Sequence, residues 1–176
     1  MSRQLLAMKH FLLVSLVWGA GLVGCQVPVL VANPFEGKVE IFEWGLFQVV
    51  GPVEVESDAE KVAGEVNIID DVRLVRRTTS VSMQMGTTFG IRYRLVPNDG
   101  KDYEIGVRIV FPDGGLTNPE TGKLQLSSFS SFVLNTEDAD FDVYTFDHAW
   151  EMRPGEWTFQ LLVDGRVAAA KTFVVR

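Results

Sequence analysis

The stretch GEWTFQLLVDGRVAAAKTFVVR, residues 155–176, joins two apolar runs through the dipeptide Asp164-Gly165. An Asp-Gly pair between two such runs is a strong signal for a β-hairpin, because the glycine adopts a positive φ angle at no steric cost. This is the clearest structural signal in the chain. It predicts two antiparallel strands at the C-terminus.

The register of this hairpin has two solutions. A two-residue loop sets Phe159 opposite Ala170, and the turn chemistry favours this loop. A three-residue loop through Arg166 sets Trp157 opposite Phe173, and an aromatic pair on one face is the more stabilising contact. Both registers stay open at the level of sequence.

Two further segments alternate between apolar and polar residues, with the period of two that a half-buried antiparallel strand requires. In TTFGIRYRLV, residues 87–96, one face is aromatic and aliphatic and the other carries threonine and arginine. In YEIGVRIVF, residues 103–111, every second residue is again apolar. The intervening PNDG is a turn signal. Additional strands are predicted in residues 38–50, 72–77, 124–134 and 142–147.

Residues 51–66 are rich in charge, and we expect an irregular connection there. No segment shows a sustained helical period, and the predicted strands number about seven or eight. This number and spacing are typical of an immunoglobulin-like antiparallel β-sandwich, with a small closed β-barrel as the alternative. The predicted fold class is therefore all-β.

The N-terminal segment has the pattern of an export signal. Residues 11–24, FLLVSLVWGAGLVG, carry no charge, and Arg3 and Lys9 precede them. A basic region, a short apolar run and small residues form a secretory signal. The run is too short for a transmembrane helix, which needs roughly 20 residues. Translation could begin at Met1 or at Met8, since Met8 opens a compact signal of the same form.

The tetrapeptide LVGC, residues 22–25, resembles the lipobox of bacterial lipoproteins, in which the cysteine is acylated and becomes the first mature residue. Cys25 is the only cysteine of the chain, so it has no disulfide partner within it. A cut after Ala32 by an ordinary signal peptidase is the competing interpretation. The domain organisation that follows is a signal peptide (1–24), a lipidated N-terminus and tether (25–37), and a folded domain (38–176).

Acylation of Cys25 makes the membrane a predicted partner, because each buried CH₂ of a lipid chain contributes about 0.8 kcal/mol. In related lipoproteins an aspartate after the cysteine holds the protein at the inner membrane, and here that residue is Gln26. We therefore expect an exported protein of the bacterial cell envelope, held at the outer membrane and facing the periplasm.

The charge of the chain argues against nucleic acid as a partner. The chain has 16 basic and 23 acidic residues. Removal of Arg3 and Lys9 with the signal leaves 14 basic residues against 23 acidic ones, a net charge of −9. Such a surface repels phosphates. The longest basic cluster is Arg76-Arg77, which is too small to reverse the effect locally.

Motifs for catalysis and for cofactors are absent from the sequence. There is no G-x-S-x-G motif around a serine, no P-loop and no G-x-G-x-x-G. His148, in FDHAW, is the only histidine that remains after removal of the signal. It is interpreted either as a pH-sensitive or catalytic imidazole, or as an exposed or hydrogen-bonded loop histidine. No cofactor is predicted.

Metal ligands are equally sparse. Zinc prefers several cysteine or histidine ligands, which this chain lacks. Asp138, Asp140 and Asp142 in NTEDADFD are weak calcium candidates, because alternate carboxylates converge only if the chain loops there. The calcium-loop pattern of an EF-hand is absent. A solvated acidic loop is the alternative, and no metal site is predicted.

Trp150 precedes Pro154-Gly155 in a predicted loop, so among the tryptophans it is the best candidate for partial exposure. An exposed tryptophan can stack on a sugar or grip a peptide. Packing in the core or at its rim is the alternative. Trp150 and His148 are therefore the predicted ligand contacts.

Three stretches carry a family resemblance: EIFEWGLF, then LVRRT leading into GTTFGIRYRL, and FDHAWEMRPGEWTFQLLVDGRVAAAKTFVV. Together they make residues 39–175 resemble a bacterial domain-of-unknown-function family, number 3859. The last stretch is the most specific, with Pro-Gly-Glu-Trp before the hairpin. The resemblance implies an exported all-β domain, and it implies no activity and no catalytic residues.

These observations predict an envelope-anchored lipoprotein carrying a non-catalytic β-sandwich, which serves as a protein-interaction or binding module. A carbohydrate- or cell-wall-binding module is the alternative, on the basis of Trp150. A hydrolase acting through carboxylates is a third hypothesis. It would require two carboxylates roughly 5–10 Å apart in a cleft.

Overall fold

A computed structural model describes residues 35–176 and contains eleven strands. They are β1 (Lys38–Ser57), β2 (Glu65–Arg76), β3 (Ser80–Val81), β4 (Thr88–Val96), β5 (Asp102–Val110), β6 (Leu116–Thr117), β7 (Leu124–Gln125), β8 (Ser127–Asn135), β9 (Ala139–Thr145), β10 (Gly155–Val163) and β11 (Arg166–Val175). A single 3-10 turn, Ala149–Glu151, follows β9. The signal segment, Cys25 and the first part of the tether lie outside the described residues.

Two sheets enclose one core. The first sheet has the order β2-β1-β4-β9 and the second has the order β3-β11-β10-β5-β8, while β6 and β7 form a separate short ladder. Eight strands have seven residues or more, and the remaining three have two residues each. The all-β sandwich is thus confirmed. The closed-barrel alternative is wrong, since each sheet ends in unjoined edge strands. Within residues 35–176 there is no helix that could span a bilayer.

The alternating strands bury the faces that their sequences predict. In β4, Phe89, Ile91 and Tyr93 are fully buried. In β5, Ile105 and Val107 face them from the other sheet in the same core cluster. Aromatic rings fill the middle of the sandwich: the Phe89 ring lies with its centroid 5.4–5.9 Å from those of Phe146, Trp157, Phe159 and Phe173. Three of these four contacts are edge-to-face, a geometry that stabilises beyond simple area burial.

The C-terminal hairpin combines features of both predicted registers. Its loop has two residues, with Val163 paired to Arg166 and positive φ at Asp164 and Gly165. A bulge at Ala168 then shifts the pairing by one residue, so that Trp157 lies opposite Phe173. Turn chemistry therefore sets the loop, and the bulge restores the aromatic pair in the core.

The prediction of an irregular connection over residues 51–66 is wrong. Strands β1 and β2 continue through it as a long hairpin, paired from Val50↔Asp71 to Ser57↔Glu65. We call residues 50–71 the arm. The pattern Val-Glu-Val-Glu has the period of a strand, and its charges face solvent because the arm projects beyond the rest of the first sheet. Pairing of β1 with β4 ends at Phe47.

A bulge bends the base of the arm. Gly51 and Pro52 together oppose Asp70, and Gly51 has a φ of 91°, which suits glycine. The tip of the arm then reaches the second sheet. The ammonium of Lys61 donates to Oγ of Ser128 and to the carbonyl of Phe129, at 3.0 and 2.9 Å. The arm therefore crosses from the first sheet to the second.

Three other strand predictions have the right type and different bounds. The strand predicted over 72–77 is extended to Glu65–Arg76 by the arm. The segment 124–134 is divided at Leu126, whose carbonyl accepts a hydrogen bond from the Phe111 N–H. The strand predicted over 142–147 begins at Ala139 and ends at Thr145.

Candidate binding cleft beneath the arm

The arm covers a cleft at one side of the sandwich, where the edge strands β9 and β8 leave the two sheets unjoined. The cavity measures about 170 Å³. Apolar side chains from the arm and from β5 form part of its wall, including Val66, Ile69 and Ile109. Seven ionisable side chains also line it: Lys61, Glu65, Asp142, Tyr144, Asp147, His148 and Glu151.

Glu151 organises the loop at the mouth of this cleft. Its Oε1 accepts a hydrogen bond from the Tyr144 hydroxyl, and its Oε2 accepts from the backbone N–H groups of Asp147 and His148, each at 2.8 Å. The residue is only 4% exposed. Burial raises the pKa of Glu151, while the hydrogen bonds from the His148 backbone and the Tyr144 hydroxyl oppose the rise.

Asp142 lies in the same wall, on β9. The Tyr93 hydroxyl donates to its Oδ2 at 2.8 Å. Burial raises the pKa of Asp142 to about 7, with a further contribution from the neighbouring Asp140 carboxylate. Burial and the nearby Glu151 also raise the pKa of Tyr144, so this phenol stays protonated as a hydrogen-bond donor.

The two predicted ligand contacts come together at the mouth of the cleft. The rings of His148 and Trp150 are stacked, with centroids 5.4 Å apart and planes inclined by 9°. Nε2 of His148 lies 3.6 Å from Oε1 of Glu65, on the arm. Asn67, also on the arm, donates to Oδ2 of Asp147 at 2.7 Å. Trp150 itself is half-buried and packs against the core cluster.

The three calcium candidates do not assemble into one site. Asp138 is exposed in the turn before β9, and Asp140 is buried, with Oδ1 accepting the N–H of Phe141 at 2.9 Å. Only Asp142 lines the cleft. Within the part of the chain that the structure describes, no three histidine, cysteine or acidic side chains group in a way that could hold a metal ion.

Sequence reasoning missed Glu151 and Lys61, two of the residues that build the cleft. Glu151 stands three residues after His148, the spacing of a capping box, but histidine is not one of the usual first residues of that motif. Lys61 is the only basic residue between Gly51 and Asp71, which contain seven acidic residues. A lone lysine in such a stretch is a signal that could have identified the docking point of the arm.

Several polar groups of the cleft are hydrogen-bonded to one another or to neighbouring backbone groups. Glu151 accepts three hydrogen bonds, and Asp142 and Asp147 each accept one from a neighbouring side chain. Lys61 is held by Ser128 and Phe129. Such a network restricts the movement of the side chains that line the cleft.

Comparisons with known proteins agree with this architecture. The chain is similar to an immunoglobulin-like protein from Pseudomonas aeruginosa, with a TM-score of 0.52 and 23% identity, over 74% of this chain and 96% of that one. This similarity establishes the immunoglobulin-like fold. A second structure, the alkylpurine DNA glycosylase AlkC from Pseudomonas fluorescens, has a TM-score of 0.35 and 14% identity, over 56% of this chain and 28% of that one. That similarity is too low to support any argument.

No curated protein matches the sequence. A family model matches residues 36–175, which is nearly the whole described domain. The matched range contains the arm, the cleft and the C-terminal hairpin, in agreement with the resemblance drawn from the sequence. The chain belongs to the family described as a domain of unknown function, DUF3859.

Proposed function

We propose that this chain is a lipoprotein of the bacterial cell envelope whose β-sandwich is a non-catalytic module for binding a partner protein. The observation that carries the proposal is the hydrogen-bond network of the cleft, in which the carboxylates of Asp142, Asp147 and Glu151 already accept hydrogen bonds from neighbouring groups. A cleft of this kind beside an exposed arm suits recognition better than proton transfer.

The state of Glu151 supports binding over hydrolysis. Asp142 and Glu151 line the same cavity, as a carboxylate-based hydrolase would require. However, a general base must reach the proton that it abstracts. Both oxygens of Glu151 accept hydrogen bonds within the protein, and the side chain is buried. Activation of a water by Glu151 would break the loop that Glu151 holds.

Attachment through Cys25 is the part of the proposal that concerns location. The LVGC tetrapeptide and the preceding apolar run support it. A Cys25→Ser variant should leave the membrane fraction, because it removes the acylated sulfur. Val27→Ser, two residues further on, is the matched control and should stay in the membrane fraction. Membrane retention of Cys25→Ser with an unchanged mass would overturn the lipoprotein assignment.

The proposed outer-membrane location has its own test. Gln26 follows Cys25, and Gln26→Asp should move the protein to the inner-membrane fraction on a density gradient. Gln26→Asn is the control and should keep the original distribution. The location would be wrong if the unaltered protein already sediments with the inner membrane.

Partner binding can be tested by photocrosslinking in intact cells. A photoreactive residue at Trp150, beside the cleft, should give a discrete crosslinked band with a second protein. The same residue at Arg166, in the exposed tip of the C-terminal hairpin, is the control and should give none. If neither Trp150 nor Val55, on the arm, gives a discrete band when replaced by the photoreactive residue, or if Trp150 and Arg166 give the same bands, the binding function is contradicted.

A carbohydrate- or cell-wall-binding module is the second candidate, favoured by the stacked rings of His148 and Trp150 at the cleft mouth. Aromatic faces of this kind stack on sugar rings. Retention on purified peptidoglycan that Trp150→Ala abolishes would support it. Trp44→Ala is the control, because Trp44 already packs against Lys171 and Arg77. Absence of retention for the unaltered chain would remove this candidate.

A further inference from the structure

The outer strand of the arm is exposed along its whole length. All residues of β1 from Val50 to Ser57 are exposed. One edge of this segment pairs with β2, and no strand among residues 35–176 pairs with its other edge. A free edge of this length is a template for an added strand.

The hydrogen bonds at the tip of the arm define which backbone groups face outward. The N–H of Asp58 donates to the carbonyl of Gly64 at 2.9 Å. In an antiparallel ladder, hydrogen-bonded and non-hydrogen-bonded pairs alternate. Glu54 and Glu56 therefore direct their backbone groups to β2. Val53, Val55 and Ser57 direct theirs to the free edge.

The two faces of this strand differ in chemistry. Val53 and Val55 lie on one face and are 45% and 59% exposed. Glu54 and Glu56 alternate with them and lie on the other face. None of the ion pairs formed among residues 35–176 involves either glutamate. An added strand would thus meet valines on one side and carboxylates on the other.

The whole arm is acidic. Residues 51–71 contain seven acidic side chains and one lysine. That lysine, Lys61, is directed to Ser128 and Phe129 on the second sheet and does not neutralise the outer strand. The charge is concentrated on the element that carries the free edge, so a basic partner is attracted to it.

We propose that the free edge of β1 between Val53 and Ser57 binds an extended, basic segment of a partner protein as an added β-strand. The segment alternates basic with apolar residues, so that lysine or arginine side chains meet Glu54 and Glu56 and apolar side chains meet Val53 and Val55. Backbone hydrogen bonds supply affinity, and the alternation supplies specificity. This inference rests on the proposed binding function and names the chemistry of the partner.

A second copy of the chain fits this edge poorly. Antiparallel pairing of two such strands would bring glutamates of one copy against glutamates of the other, and like charges directly opposite one another are destabilising. Pro52 and the bulge at Gly51 also interrupt the edge, as they do in strands protected from self-association. Both features oppose pairing between two copies of the chain. A basic segment of another protein is therefore the favoured occupant of this edge.

The test uses the full chain in detergent and a short peptide that alternates lysine and valine. The peptide should bind in a salt-sensitive manner, and amide exchange should slow at Val53, Val55 and Ser57. The double variant Glu54→Lys, Glu56→Lys should weaken binding by about tenfold or more, since two attractive cross-strand pairs become repulsive. The matched control, Glu120→Lys with Glu137→Lys, changes the net charge equally at exposed loops and should bind normally.

A second variant examines the backbone. Val55→Pro removes an outward N–H while leaving the ladder to β2 intact, as proline is tolerated at a free edge. In this variant the lysine-valine peptide should no longer slow hydrogen exchange at the neighbouring amides. Circular dichroism should show an unchanged melting transition. A peptide alternating glutamate and valine should not bind.

Three outcomes would overturn the inference: no binding of the lysine-valine peptide, equal binding by the charge-reversed and control variants, or amide protection on β8 instead of β1. If the unaltered chain forms a dimer and Val55→Pro abolishes that dimer, the inference is also overturned, because the edge then binds a second copy.

The photocrosslinking experiment separates this inference from the proposed function. Crosslinks from a photoreactive residue at Trp150, with none from the same residue at Val55, would reject this inference and retain the proposed function. Absence of crosslinks from both positions would reject the two together.

Discussion

The hydroxyl of Tyr144 donates a hydrogen bond of 2.8 Å to Oε1 of Glu151, and this contact ties edge strand β9 to the 3-10 turn that follows it. Oε2 of the same carboxylate accepts two backbone N–H groups, from Asp147 and His148. One buried side chain therefore satisfies three donors and orients the His148 and Trp150 rings at the cleft mouth.

Loss of the Glu151 carboxylate should destabilise the domain. Glu151→Ala leaves three donors without an acceptor, and we expect a loss of about 3 kcal/mol in the free energy of unfolding. Glu151→Gln retains an oxygen for the two backbone donors and should cost less than about 1 kcal/mol. Urea denaturation measures both. The exposed Glu156→Ala is the control, and a loss in it equal to that of Glu151→Ala would contradict the role assigned to the buried carboxylate.

The raised pKa of Asp142 predicts a pH-dependent stability. Its pKa of about 7 in the folded state lies above the ordinary aspartate value of 3.8, so the folded state binds the proton more tightly than the unfolded state. The free energy of unfolding should therefore decrease as the pH rises from about 4 to about 7, by up to about 4 kcal/mol. The Asp142→Asn variant keeps an acceptor for the Tyr93 hydroxyl but has no carboxyl group to titrate. Its free energy of unfolding should not show this decrease.

The measurement is the free energy of unfolding of both proteins at several pH values. Asp138→Asn, at an exposed position before the same strand, is the control and should follow the unaltered protein. Parallel curves for the unaltered chain and for Asp142→Asn would show that Asp142 does not carry the effect.

Gly45, on β1, lies directly against the end of β2. A Cβ added there would lie 2.0 Å from the carbonyl oxygen of Arg76, and the φ of 143° disfavours any L side chain. Gly64 also has a positive φ, with no atom within 4 Å of such a Cβ. Thermal unfolding should show a loss of about 1 kcal/mol for Gly64→Ala, from backbone strain alone, and more than about 3 kcal/mol for Gly45→Ala. Equal losses would argue against the steric contact.

Docking of the arm depends on Val62, which is 5% exposed at its tip and belongs to the core cluster. Val62→Ala should cost about 1–2 kcal/mol through lost apolar burial. Hydrogen exchange should speed up in the arm and stay unchanged in β10. Val55→Ala makes the same chemical change at an exposed position and should cost less than about 0.5 kcal/mol. Uniform acceleration across all strands would contradict independent docking of the arm.

The strands that could be predicted are those in which apolar and polar residues alternate within the segment itself. Residues 87–96 and 103–111 alternate because one face of each strand meets the core, and this is visible within each segment. The arm was missed because valine and glutamate alternate there without a buried face. Its strand period is the same, but its stability comes from pairing with β2 and from docking at Ser128 and Gln125.

The cleft could be predicted only in part, because some of its residues are recognisable from the local sequence and others are not. His148, Trp150 and Asp142 stand out as chemically distinctive residues, and the structure brings them to one cleft. Glu151 and Lys61 do not stand out, because their roles arise from partners on other elements. Lys61 reaches Ser128, which is 67 residues further along the chain.

Turn chemistry and period-two alternation were enough to predict an all-β sandwich with a C-terminal hairpin, because both act between residues close together in the chain. The bulge at Ala168, the crossing of the arm and the burial of Glu151 were decided by tertiary structure. Each depends on long-range contacts: the aromatic core that aligns Trp157 with Phe173, the second sheet that receives Lys61, and the β9 tyrosine that meets a carboxylate. Such contacts form only when the two sheets pack, and local sequence does not encode which distant partner each residue meets.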